Sequence, residues 1–176
     1  MSIMNSKLLI LVGPKGSGKS HIGRELEAFF QIKYVRIEAV WQELKDQRTD
    51  FLSPDYIREG RQLTLDLVRS HLKNGHVCIE ATGVADDWDE YVENLKSIAD
   101  VVFIKVTCSL DECKKRALGR DQSLQVQISD TLFDDINTKA AGVQLDWAAV
   151  INNEPFISRD ELNSLMRPVL ENDGFV

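Results

Sequence analysis

Residues 13–20 read Gly-Pro-Lys-Gly-Ser-Gly-Lys-Ser, the spacing G-x-x-x-x-G-K-[ST]. In such a run a glycine-rich turn aims successive backbone N–H groups at one point, where they can surround a phosphate, and side chains at the glycines would block that approach. The pattern assigns phosphate binding to Gly13, Pro14, Lys15, Gly16, Ser17, Gly18, Lys19 and Ser20, with His21 following on the helix. Lys19 is expected to set its ammonium between β- and γ-phosphates, and the Ser20 hydroxyl to ligate Mg²⁺. A helix beginning there adds about half a positive charge at its N-terminus.

The elements around the loop fit this chemistry. Leu8 to Val12 is a wholly apolar run suited to a buried parallel strand, and Ile22, Leu26, Phe29 and Phe30 recur at helical spacing. Beyond them, Tyr34 to Glu38 reads as a second strand, followed by a short helical piece around Trp41 to Asp46. A helix opens at Ser53-Pro54-Asp55 and stops at Asn74-Gly75. His76 to Ile79 is a third strand ending at Glu80, and Ala81-Thr82-Gly83 turns the chain into a helix from about Ala85 to Ile98. The acids Asp86, Asp87, Asp89 and Glu90 in its first turns suit the helix dipole better than a metal site. Val101 to Val106 is the fourth strand and Trp147 to Ile151 the fifth. Capping boxes at Ser109–Glu112 and Ser158–Glu161 open two further helices, another is expected from about Thr131 to Ala141, and Pro168 is expected to kink or end the last one.

Strands alternating with helices give an α/β fold, a five-stranded parallel sheet with helices on both faces, whose ligands sit at the carboxyl ends of the strands. The places to look for chemistry are therefore residues 13–20, 36–38 and 80–83, and whatever folds over them. With 176 residues and no repeat or linker, one domain is expected. The three cysteines show no zinc spacing and read as reduced thiols. The apolar run near the start is too short for a membrane span and lacks a small-residue cleavage site, so cytoplasm is the expected compartment. A net charge of −7 argues against nucleic acid held by bulk electrostatics, but not against ATP, since fields are screened within about 8 Å.

With its loop, Glu80-Ala81-Thr82-Gly83 after the third strand, Arg116-Ala117-Leu118-Gly119-Arg120 after the fourth and Ala148 to Asn153 near the end, the chain resembles the small P-loop kinases. That group includes shikimate, gluconate and nucleoside monophosphate kinases. The resemblance implies a P-loop NTPase fold, a substrate-side helical segment at about 38–75 and a lid at about 116–140. In the lid Arg116 would stack on adenine and Arg120 reach the phosphates, while Asn152 and Asn153 would lie near the base. Arg58 and Arg61 match the acceptor-gripping helix of shikimate kinases. Arg36, Thr82 and Gly83 fall where those enzymes carry an aspartate pair and three glycines, a departure that points away from shikimate itself. Lys139 is the only cation between Asp121 and Ser158, so the lid is poor in the arginines that adenylate kinases supply.

Two functions follow as expectations. The first is an ATP- and Mg²⁺-dependent kinase that phosphorylates a hydroxyl or phosphate of a small molecule as a monomer or weak dimer. In it Lys19, Arg116 and Arg120 neutralise charge, Glu38 serves as base or acceptor-orienting group, and Glu80 supports the metal through water. Each glutamate can also be read as half of a buried structural ion pair, Glu80 more readily than Glu38. The second function is a nucleotide-binding regulatory protein that keeps the loop with little transfer.

Overall fold

The computed structural model describes residues 6–50, 53–120 and 128–176. Five strands form one parallel sheet in the order β2-β3-β1-β4-β5. They are β1 (Lys7–Val12), β2 (Lys33–Tyr34), β3 (Val77–Ala81), β4 (Asp100–Thr107) and β5 (Trp147–Asn152). Between and after them run α1 (Lys19–Phe30), α2 (Ile37–Gln47), α3 (Pro54–Leu72), α4 (Trp88–Lys96), α5 (Leu110–Leu118), α6 (Asp130–Gly142) and α7 (Arg159–Asn172).

The apolar run of β1 puts it at the centre, where Leu8 to Val12 are wholly buried. Successive side chains of a strand point to opposite faces, so the run feeds two cores. Leu8, Ile10 and Val12 pack with Val68 and Leu72 of α3 and with Tyr91 and Leu95 of α4. Leu9 and Leu11 pack with Ile22 and Leu26 of α1 and with Leu162 and Met166 of α7. Parallel connections bring Val12, Ala81, Thr107 and Asn152 to one edge of the sheet, with the loop of residues 13–18 leaving from its middle.

Three expectations need correction. The second strand does not reach Glu38. It pairs with β3 only through Lys33 and Tyr34, and after Val35 donates its N–H to Cys78 O the chain turns at Arg36 into α2. The alternation of Val35 and Ile37 that reads as strand arises because both side chains enter the same core from opposite sides of that turn, while Glu38 sits in the helix's first turn, where an acid is favoured. α4 starts three residues later than expected, behind a turn closed by Trp88 N–H on Ala85 O. Of the kink or early end expected at Pro168, the end does not occur: α7 continues to Asn172 with Met166 and Leu170 buried on either side of the proline. That core burial offsets the one lost helix bond.

The capping box at Ser158 is complete, whereas Ser109 has half of one. The Ser109 N–H is taken by Glu154 at 2.6 Å, and the carboxylate of Glu112 holds Arg116 at 2.9 Å.

Candidate active site

The loop is fixed by its glycines and by two buried asparagines from far along the chain. Gly16 has φ +88°, and a Cβ there would lie 2.1 Å from the Cys113 carbonyl oxygen. Gly18, at φ +92°, leaves the same 2.1 Å to Asn153 Nδ2. Asn137 of α6 accepts from Lys15 N–H at 2.7 Å and donates to Lys15 O at 2.9 Å. Asn153 donates to Ser17 O at 2.8 Å and accepts from Ile157 N–H at 2.9 Å. Lys19 folds back over the loop, donating to Gly13 O at 2.9 Å and Pro14 O at 2.7 Å. Its burial lowers the ammonium pKa to about 8, outweighing the attraction of Glu80.

At the second residue of α1, Ser20 Oγ donates to both oxygens of Glu80, at 3.1 and 2.9 Å. Tyr34 Oη reaches the same carboxylate at 2.7 Å. Burial, and then the charge of Glu80, push the Tyr34 phenol well above its usual range, so it remains a donor. Tyr34 escaped the sequence reading because nothing local marks it; it is the end of β2 that aims it at Glu80. Hard divalent cations prefer oxygen ligands, and the hydroxyl of Ser20 with the carboxylate of Glu80 is a donor set that fits Mg²⁺. Among the described residues there is no cluster of three His, Cys, Asp or Glu that could hold a metal without further ligands.

From the loop a cleft of about 270 Å³ extends toward α2 and α3. Its lining comes from the loop and the start of α1 (Lys15, Lys19, Ser20), the end of β3 and the turn after it (Glu80, Thr82, Gly83), α2 (Glu38, Trp41), α3 (Arg61), α4 (Trp88) and Arg120 after α5. Glu38 stands 3.5 Å from Lys15 Nζ. Arg61 makes a two-pronged pair with Asp87 at 2.8 and 2.9 Å, its guanidinium 4.1 Å from the centre of the Tyr91 ring and 5.7 Å from that of Trp41. Asp87 is held below its usual pKa, first by the Arg61 hydrogen bonds. Trp41, Trp88 and Asp87 are further residues the sequence reading did not assign to a site. The sequence marks the acids around the start of α4 only as dipole partners, yet Asp87 turns inward to Arg61.

Not every expected residue comes to the cleft. Arg58, one turn before Arg61 on α3, is exposed and paired with Asp55. Arg36 caps α2, half-buried, outside the cleft lining. His21 is exposed, edge-on to Phe156. At the other side of the loop Arg116 is 8% exposed, bonded to Glu112 and to Asn153 O, with Phe156 stacked 3.8 Å from its guanidinium carbon. Asn152 is exposed at the end of β5, whereas Asn153 is wholly buried. Of the expected lid, residues 121–127 lie outside the described residues. Among the described residues no helix is long and apolar enough to cross a membrane.

No family profile matches the chain. In sequence it is similar to the shikimate kinase of Clostridium botulinum strain Langeland, 25% identical over 131 residues, which are 71% of this chain and 74% of the relative. In structure it is similar to an unliganded sugar kinase from Janibacter sp. HTCC2649, with a TM-score of 0.67 at 13% identity over 97% of this chain and 96% of that one. It is also similar to a shikimate kinase from Acinetobacter baumannii in complex with shikimate, with a TM-score of 0.66 at 15% identity over 97% of both chains. At such identities the two structural likenesses are likenesses of fold.

Proposed function

We propose that this chain is a P-loop small-molecule kinase, as its likeness to shikimate kinases supports, and that it moves the γ-phosphoryl group of ATP along the cleft to a hydroxyl or phosphate of an acceptor seated between α2, α3 and the start of α4. The observation that carries the reading is the continuity of that cleft, which is lined by Lys19, Ser20 and Arg120 and also by Glu38, Arg61 and two tryptophans from the helices beyond the loop. A purely nucleotide-sensing loop needs no such second compartment.

In this reading the triphosphate replaces the Gly13 and Pro14 carbonyls as partner of Lys19, whose point charge then meets the developing negative charge. Ser20 and Glu80 would hold Mg²⁺, which when bound neutralises phosphate oxygens. Tyr34 orients Glu80, and Asn137 and Asn153 keep the loop's N–H groups aimed. Arg120 reaches the transferred group from the cleft wall, and Arg116, packed on Phe156 beside the loop, would have to turn outward to stack on the base. Glu38 takes or orients the acceptor's proton, and catalysis is positioning and charge neutralisation.

A coupled ADP-release screen over sugars, polyols, nucleosides, nucleoside monophosphates and aminoglycosides tests this. ADP formation that depends on one acceptor class and disappears in Lys19→Ala is expected. Glu38→Gln should retain ATP affinity while lowering turnover by about 10² or more. ADP release indifferent to every acceptor would favour the nucleotide-binding regulatory reading instead.

A further inference from the structure

Resting on the kinase reading, we infer that Lys15 is a further catalytic residue: its ammonium leaves Glu38 for the γ-phosphoryl group and stays on it during transfer. Lys15 belongs to the phosphate loop, and its Nζ stands 3.5 Å from Glu38, the carboxylate to which we give the acceptor's proton. One side chain thus joins the loop that receives the triphosphate to the group that handles the acceptor. Both residues line one cleft with Lys19, Ser20 and Arg120.

The fold fixes where this ammonium starts from. The buried Asn137 accepts from Lys15 N–H at 2.7 Å and donates to Lys15 O at 2.9 Å, and Gly16, the next residue, lies against the Cys113 carbonyl. The main chain at Lys15 is therefore held, and the four-carbon stem is what swings. That side chain is partly exposed, so it crosses the cleft without opening the core. The charges around it favour an anion. Burial lowers the Lys19 pKa most, Glu80 opposes it, and the charges of Lys15 and Arg120 lower it further. Three cations are felt across one space, and a terminal phosphate with about two negative charges relieves their repulsion.

The segment after Arg120 supplies little charge of its own. Lys139 is the only cation between Asp121 and Ser158, and it sits exposed on α6 beside Asp135 at 2.8 Å. Lys15 makes the loop itself a source of the charge that transfer needs. As the acceptor oxygen attacks the γ-phosphorus, the bond from that phosphorus to the bridging oxygen breaks, its electron pair leaves with ADP, and the acceptor's proton passes to Glu38. Lys15 neutralises the moving phosphoryl oxygens, and its departure takes a competing cation away from the carboxylate that receives the proton.

Nucleotide binding tests this without an acceptor. Calorimetry compares ADP, the imido analogue of ATP, and ADP with aluminium fluoride, each with Mg²⁺, in the parent and in Lys15→Met, which keeps the stem and loses the charge. The variant should bind ADP within about twofold of the parent and lose about tenfold or more in affinity for the other two. Lys15→Arg keeps the charge and should hold that loss to about threefold. With an acceptor found by ADP release, Lys15→Met should lower kcat by about 10² or more while the acceptor KM stays within about threefold. Equal losses for ADP and the imido analogue, no loss for either, or Lys15→Arg as weak as Lys15→Met would overturn the inference. Should Lys15→Met lose its cooperative melting, Lys15→Gln takes its place in every comparison. Acceptor-dependent ADP release unmoved in Lys15→Met would sink the role of Lys15 and leave the kinase reading standing. A loss confined to ligands with a γ-phosphate or its mimic, with no ADP release on any acceptor, would uphold the Lys15 contact and sink the kinase reading.

Discussion

The two ends of the cleft are built by opposite means. The phosphate end is backbone, held by residues whose only office is to keep it in place: glycines at left-handed φ, and two buried asparagines bonded to its carbonyls and amides. The side we propose for the acceptor is side chains, among them the pairs of Arg61 with Asp87 and Glu38 with Lys15. A backbone cradle can serve any nucleoside triphosphate and is intolerant of change, whereas a wall of paired side chains can be re-specified one residue at a time.

The strongest way to break that contrast is Gly16→Ala. The new methyl would meet a main-chain oxygen of α5 at 2.1 Å in a conformation that L-residues disfavour, and neither strand nor helix can yield cheaply. ATP affinity should fall by about 10³ or more, and the melting temperature by several degrees. Isothermal titration and thermal melting check both; an alanine variant that binds ATP normally would mean that the cradle adapts as readily as the acceptor wall.

Next is Asn153→Ala, which touches no ligand in our reading but strands Ser17 O and Ile157 N–H in a wholly buried place. Unsatisfied buried groups cost about 1–3 kcal/mol each, so a melting loss of about 5–10 °C is expected, with ATP affinity reduced as the loop loosens. A loss confined to affinity, with melting unchanged, would make Asn153 a base contact and not a loop support.

The same contrast explains what could be read from the sequence. The loop, the central strand and the alternation of elements were legible because each is local: eight consecutive residues, an unbroken apolar run, and apolar stripes at helical spacing. The sheet followed from them. Tyr34 on Glu80, Asn137 on Lys15 and Arg61 on Asp87 span 46, 122 and 26 residues, and no local pattern pairs them. Arg58 and Arg61 looked equivalent as two arginines of one helix; only the packing of Gly60 against Trp41 shows which side of α3 faces α2. Asn137 left one trace, as a polar residue on the same buried stripe of α6 as Ala140.

A third prediction uses proton linkage at Lys19. Burial lowers its pKa to about 8 in the free protein, and a bound triphosphate favours the ammonium and raises it. Below pH 8 the lysine is already charged and affinity is insensitive to it; above pH 8 the complex must take up a proton, and affinity should fall by up to about tenfold per pH unit. The unliganded protein changes in the opposite sense. Between about 8 and the ordinary 10.5 the unfolded chain binds the extra proton, so this group makes the free fold more stable as pH rises. Calorimetry near pH 8 in buffers of different ionisation enthalpy should register the uptake. Lys19→Met should remove it, and a buffer-independent heat in the parent would show that the lysine is charged throughout.

The smallest effect sharpens the comparison within one helix. Arg58 and Arg61 stand one turn apart on α3, yet Arg58 is an exposed partner of Asp55 while Arg61 is largely buried against Asp87, Tyr91 and Trp41 and lines the cleft. Exposed pairs contribute about 0–1 kcal/mol, so Arg58→Ala should leave melting within about 2 °C and acceptor-dependent turnover within about twofold. Arg61→Ala removes the cation from between two rings and leaves a partly buried carboxylate alone, and should raise the acceptor requirement while ATP affinity holds. Equal sensitivity of the two positions would mean that α3 presents its outer side to substrate, and the acceptor would then have to be sought outside the cleft.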